Sequence, residues 1–221
     1  MTACRGRLAG AGEGVPGSGV EVFASAARGG QSGRMSEPIE LSRTGVVVVS
    51  LSTAEVPGEV WIEIRQLLAR AFAGRFSQED WEHALGGFHV IVSDAGAVVS
   101  HAAVVPRTLE VARQPFNTGY VEGVATSPDR RGERLGSLAM DEIMRLIRDN
   151  FEMGALSTGR SGFYERLGWE RWRGPTFVRD GKQETRTEQE DDGVMILRFG
   201  VSQDIDLTAP LSCEQRRGDN W

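Results

Sequence analysis

The sequence predicts an α+β fold, an α/β sandwich with helices on both faces of a mixed sheet. Runs rich in β-branched residues alternate with stretches of helical periodicity, and those stretches gather their apolar residues on one face. "GVVVVSL" (45–51) is a strand run, and the stretch after it places Trp61, Ile64, Leu68 and Phe72 at helical spacing before Gly74. Ser77 followed by Asp80 has the pattern of a capping box, so a short helix starts there and Gly86-Gly87 ends it. "FHVIVSDAGAVVSHAAVVP" reads as two strands joined at Asp94-Ala95-Gly96, and a second hairpin returns through "RTLEVA" to "TGYVEGVAT". Leu135, Ala139, Ile143, Leu146 and Ile147 then mark one face of a longer helix. "GALST" is a short buried strand, "SGFYERLG" a short helix closed by Gly168, and "WERWRGPTFV" and "GVMILRFG" are further strands.

At 221 residues with 40% apolar content the chain reads as one globular domain over residues 35–221. Residues 1–34, rich in Gly, Ala and Ser, read as a disordered extension, and Met35 is a plausible alternative start. A net charge of −6 argues against a nucleic-acid binder and suits a cationic small molecule. Cys4 and Cys213 stand far apart with no metal-ligand spacing, so neither a disulfide framework nor a metal site is expected, and a reducing cytoplasm is. No apolar run has the length of a membrane span.

The chemistry concentrates in "GYVEGVATSPDRRGERLGSLAMDEI" (119–143). Gly132 and Gly136 stand beside Arg130, Arg131 and Arg134 where a helix begins, and unpaired N–H groups with small residues there can cradle a diphosphate. The alternative is an ordinary turn with solvated arginines. Neither a G-x-x-x-x-G-K-[ST] loop nor a G-x-G-x-x-G fingerprint occurs. Glu122 sits mid-strand, either as a carboxylate on an exposed sheet face or as a working base, and Tyr164 is either a half-buried aromatic or an acid.

"VATSPDRRGERLGSLAM" and the later "SGFYERLGW" resemble the GNAT superfamily of acetyl-coenzyme A-dependent N-acetyltransferases, with Arg134 where that pattern usually has its first Gly. "AFAGRFSQEDWEHALGGFHVIV", "HAAVV", "GYVEGVA", "MGALS", "RGPT", "TRTEQEDDG" and "RRGDNW" extend the resemblance, from about residue 40 to Trp221, to the aminoglycoside 2'-N-acetyltransferases of actinobacteria. The resemblance implies a central sheet splayed between two neighbouring strands, with acetyl-coenzyme A in the gap. Val124, Ala125 and Thr126 would pair with its pantetheine arm, and Arg131, Gly132, Glu133, Arg134, Leu135 and Gly136 would hold its diphosphate. Glu122 would be the general base and Tyr164 the acid at the leaving sulfur. Glu122, Gly123, Ser157, Glu190, Asp191, Asp219 and Trp221, with its terminal carboxylate, would contact the aminoglycoside; Asp80 and Asp192 are further candidates. Acetylation would remove a charge from the drug and so give resistance. Arg75 stands where the family commonly has an acid, which bears on drug spectrum. His83, His89 and His101 are expected to stay outside catalysis. A homodimer is left open. Rivals are a GNAT enzyme acting on a protein N-terminus or polyamine, and a non-catalytic acyl-coenzyme A or drug-binding module. As a chain end, the last four residues are expected to matter for the drug and little for thermal stability.

Overall fold

A computed structural model describes residues 39–41 and 45–221, so the extension read over residues 1–34 lies outside the described residues. The elements in chain order are β1 (Ile39–Leu41), β2 (Val46–Ser52), α1 (Gly58–Ala71), α2 (Gln78–His83), β3 (Phe88–Asp94), β4 (Ala97–Val111), β5 (Gln114–Thr126), α3 (Leu135–Asn150), β6 (Met153–Ser157), α4 (Ser161–Glu165), β7 (Glu170–Arg171), β8 (Thr176–Asp180), β9 (Gln183–Arg186), β10 (Val194–Leu197) and β11 (Leu211–Glu214). Their strands join in one sheet of order β1-β2-β3-β4-β5-β6-β10-β7, to which β11 is added through β4 and β8, and β9 through β8. β5 and β6 run parallel, as do β8 and β11, and the remaining pairs are antiparallel.

Period-2 alternation splits the core by face. Ala102, Val104 and Val121 pack with Leu135, Ala139, Met140, Ile143 and Ile147 of α3. On the opposite face Ile91, Val98 and Ala125 meet Ile64, Leu67 and Leu68 of α1 and Trp81 of α2. Each such buried aliphatic contributes roughly 1.5–3 kcal/mol, so the two layers together outweigh any single polar contact in the molecule. The capping box at α2 forms as the sequence indicates, with Asp80 N–H donating to Ser77 Oγ and Ser77 N–H to the Asp80 carboxylate.

Three features differ from the sequence reading. β4 runs unbroken through Pro106 into "RTLEV", because the pairing with β3 stops at Phe88–Val104 and that edge then requires no N–H from Pro106. The run "WERWRGPTFV" divides into β7 and β8. Trp169 and Trp172 are buried, and the turn between the strands is held by Arg173 and Gly174 N–H groups on the Leu207 carbonyl. Finally, β9 and β11 form from stretches whose patterning carries no clear strand signal.

Candidate active site

The site begins where two strands part. β5 and β6 pair only at Thr118–Met153, Gly119–Gly154 and Tyr120–Ala155. Beyond Ala155, β6 pairs on its far side with β10, at Leu156–Met195 and Ser157–Val194, while β5 continues with β4 alone. A cleft of about 2290 Å³ opens there, walled by the free half of β5, the loop before α3, α4, and the C-terminal segment.

A bulge sets the course of β5 within the cleft. Ala103 faces Glu122 and His101 faces Ala125, so Gly123 and Val124 together oppose Ala102. Gly123 supplies the positive φ of 56° that the bulge needs. Its carbonyl accepts from His101 Nδ1 at 2.9 Å, which leaves His101 Nε2 as an acceptor for His89 Nδ1 at 3.1 Å. His89 Nε2 then accepts from Thr53 Oγ1 at 2.9 Å, and Thr53 Oγ1 accepts from Gly86 N–H at 2.9 Å. One tautomer of each imidazole satisfies the whole chain.

Burial pushes the pKa of His89 down to about 3 and that of His101 to about 4, from an ordinary value of 6.5. The sign follows from proton counts, because the unfolded chain binds protons at these two positions that the folded chain refuses. Their stabilisation is fully present above pH 6.5 and is lost as pH falls towards 4 and 3. Melting temperatures measured from pH 7 down to 4 should therefore decline less steeply in a His89→Gln variant than in the parent. Equal slopes would exclude the pair as the source.

Glu122 shares the face of Tyr120, opposite α3, and its side chain is 17% exposed. Arg216 Nη1 donates to its Oε1 at 2.7 Å. Burial raises the Glu122 pKa, and the positive charges of Arg216 and Arg107 only partly offset that. A carboxylate so placed is a stronger proton acceptor than one in water. Tyr164 lines the same cleft from α4, its ring packed against Phe163 and Trp169. Burial pushes its phenol well above 10, so it is a proton donor at neutral pH.

The loop before α3 has the features of an anion cradle. Arg131, Gly132, Arg134, Leu135 and Gly136 line the cleft; no side chain caps α3, and its first turn contains no acid. A Cβ on Gly136 would sit 3.0 Å from Thr126 Oγ1, closing the space between the helix start and β5. Arg134 adopts φ 64°, a conformation costing a non-glycine residue roughly 1–2 kcal/mol, which explains why glycine suits this position. Glu133 is placed otherwise than the sequence reading has it. It does not line the cleft, and its carboxylate is paired with Arg130, which also holds Asp94. That arrangement keeps a negative charge away from the cradle.

Residues 54–172 match the family described as an acetyltransferase (GNAT) domain. The chain belongs to the GNAT acetyltransferase family. A protein of Mycolicibacterium fortuitum named aminoglycoside 2'-N-acetyltransferase is 39% identical over 173 residues, 76% of this chain and 89% of that protein. Solved structures agree on the fold. A GNAT N-acetyltransferase of Escherichia coli in complex with CoA superposes with a TM-score of 0.54 at 15% identity, over 77% of this chain and 90% of that one. A GNAT acetyltransferase of Brucella melitensis in complex with acetyl-CoA gives 0.50 at 18%, over 74% and 94%.

In this acetyltransferase several acids outside the cradle line the cleft. Asp80, Glu190, Asp192 and Asp219 line it together with Ser157, Gly123 and Trp221. Val124, Ala125 and Thr126 line the β5 side. Asp191 does not reach the cleft, because Arg186 grips its carboxylate and Thr176 donates to it through both N–H and hydroxyl. Asp192, next in sequence, takes the cleft-facing place. Arg75 lines the cleft near Phe72, Phe76 and Asp80. Sequence reasoning missed the bulge and Arg216; the first was signalled by a lone Gly inside a strand pattern, the second by nothing local. Among the described residues no group of three or more His, Cys, Asp or Glu is placed to hold a metal, and no helix is long and apolar enough to cross a membrane.

Proposed function

We propose that this acetyltransferase moves an acetyl group from acetyl-coenzyme A to the 2'-amino group of an aminoglycoside, by direct attack with both substrates in the cleft. The observation that carries the reading is that one cleft gathers Glu122, the basic, glycine-bearing loop before α3, and the acids Asp80, Glu190, Asp192 and Asp219. A nucleotide thioester suits the loop and a polycationic amine the acids, and the kinship to the M. fortuitum protein supports the pairing.

Arg131, Arg134 and the α3 start would hold the diphosphate, and the unpaired edge of β5 from Val124 to Thr126 offers backbone groups to the pantetheine arm. When bound, acetyl-coenzyme A supplies an activated acetyl group and a sulfur leaving group. Glu122 accepts, directly or through water, the proton that the substrate ammonium must shed before its nitrogen can form the new C–N bond. Tyr164 presents its phenolic proton to the sulfur as the C–S bond breaks, and the second proton that the nitrogen sheds on becoming an amide restores the phenol by way of solvent. Glu190, Asp192 and Asp219 bind the other ammonium groups. The product has lost one positive charge and two of the three N–H donors of that ammonium, which weakens its hold on RNA and gives resistance. The distant Cys4 and Cys213 suit a reducing compartment such as the cytoplasm.

Mass spectrometry of an aminoglycoside incubated with enzyme and acetyl-coenzyme A should show gain of one acetyl group, which NMR should locate on the 2' nitrogen. An acetyl group on another nitrogen would overturn the regiochemistry. Acetylation of polyamines or peptide N-termini with aminoglycosides untouched would overturn the substrate class.

A further inference from the structure

Arg216 stands at the joint between the strand bearing Glu122 and the segment bearing Asp219 and Trp221. Its Nη1 donates to Glu122 Oε1 at 2.7 Å, and its Nε donates to the Asp219 carbonyl at 2.7 Å. Its own backbone N–H donates to Asn220 Oδ1 at 2.9 Å, and its guanidinium carbon lies 5.6 Å from the centre of the Tyr120 ring. The side chain is only 15% exposed in the cleft wall. A planar guanidinium can bond to two acceptors on separate elements at once, which an ammonium on a flexible stem reproduces poorly.

We propose that Arg216 is a positioning residue for acetyl transfer: it fixes the aim of the Glu122 carboxylate into the cleft and fastens the loop carrying Asp219 and Trp221 to that same carboxylate. Base and acceptor wall are thereby held as one unit. The inference rests on Glu122 being the base. Five other groups face this pair: Arg107 from β4, Tyr120 from β5, Cys213 from β11, and Asp80 and His83 from α2, the last bonded to the Arg217 carbonyl. Arg216 is the cation in hydrogen-bond contact with Glu122, and its charge opposes the effect of burial on that carboxylate.

The test compares pH profiles of kcat/KM and the aminoglycoside KM for the parent, Arg216→Gln, Arg216→Lys and Glu122→Gln. In Arg216→Gln the acid limb should move up by about 1 unit or more, the lower end of what an opposite charge at this distance supplies. Its acceptor KM should rise about tenfold, the equivalent of one lost charge-assisted hydrogen bond. Arg216→Lys should recover most of the limb but not the KM, because charge is restored and the two-point bridge is not. A profile and KM in Arg216→Gln that match the parent would overturn the proposal, as would a parental KM in Arg216→Lys. Should Arg216→Gln fail to fold, the lysine variant decides alone. An acid limb that persists unchanged in Glu122→Gln would instead remove Glu122 as the base, a separate failure of the reading on which this one rests.

Discussion

Glu122→Gln lowers kcat on the order of 10²- to 10⁴-fold at saturating aminoglycoside, the range for loss of a general base, and leaves the KM for acetyl-coenzyme A near the parent value. The substitution keeps shape and keeps an oxygen able to accept from Arg216 Nη1, so the cleft wall stays in place. What disappears is a proton acceptor whose affinity burial has raised. The cradle at Arg131, Arg134 and Gly136 lies on another element, which is why the two constants should separate. Steady-state kinetics with each substrate varied against saturating concentrations of the other supplies the measurement. Full turnover in the variant would mean that bulk water or another group takes the proton.

Deleting residues 218–221 should cost both stability and acceptor affinity. The sequence reading treats this stretch as a chain end whose removal spares the melting temperature, and the structure corrects that. Trp221 is 4% exposed, in a cluster with Leu109, Phe116, Leu211 and Cys213, and its indole N–H donates to Thr187 Oγ1 at 3.1 Å. The Asn220 carbonyl accepts from the buried Arg107 at 2.8 Å. Loss of a buried Trp alone costs about 3–5 kcal/mol, and at roughly 2–4 °C per kcal/mol for a chain of this size the melting temperature should fall by about 6–20 °C. The aminoglycoside KM should rise at least about tenfold as Asp219 is lost. Asp219→Asn separates the two effects, raising KM while the melting temperature stays near the parent. A truncated protein that melts with the parent would show that Trp221 contributes no net packing energy.

Legibility in the sequence followed the range of the interaction. The face of α3 and the capping box of α2 depend on residues three or four apart, so both could be read directly. Pro106 was misleading because its tolerance depends on where a neighbouring strand stops, which no local pattern records. Among the acids, "EDD" could be read as an acceptor contact, but the choice between Asp191 and Asp192 could not; it depends on Arg186 and Thr176 holding the first. Glu133 was misplaced for a similar reason, since Arg130 pulls it out of the cradle. Arg216 was invisible because its partner is 94 residues away.

The cleft draws its walls from two stretches of chain with different histories open to them. Residues 54–172, the span matched by the family domain, carry the bulge, the cradle, Glu122 and Tyr164. Glu190, Asp192, Asp219 and Trp221 come from beyond that span. On the roles proposed above, mutation in the later stretch could explore new acceptors while the thioester chemistry is inherited intact, because an acid gained or lost there would change which amine is held without disturbing how it reacts. The exception is the seam at Arg216, where a change to the wall also reaches the base, so divergence should run freely around that position and slowly through it.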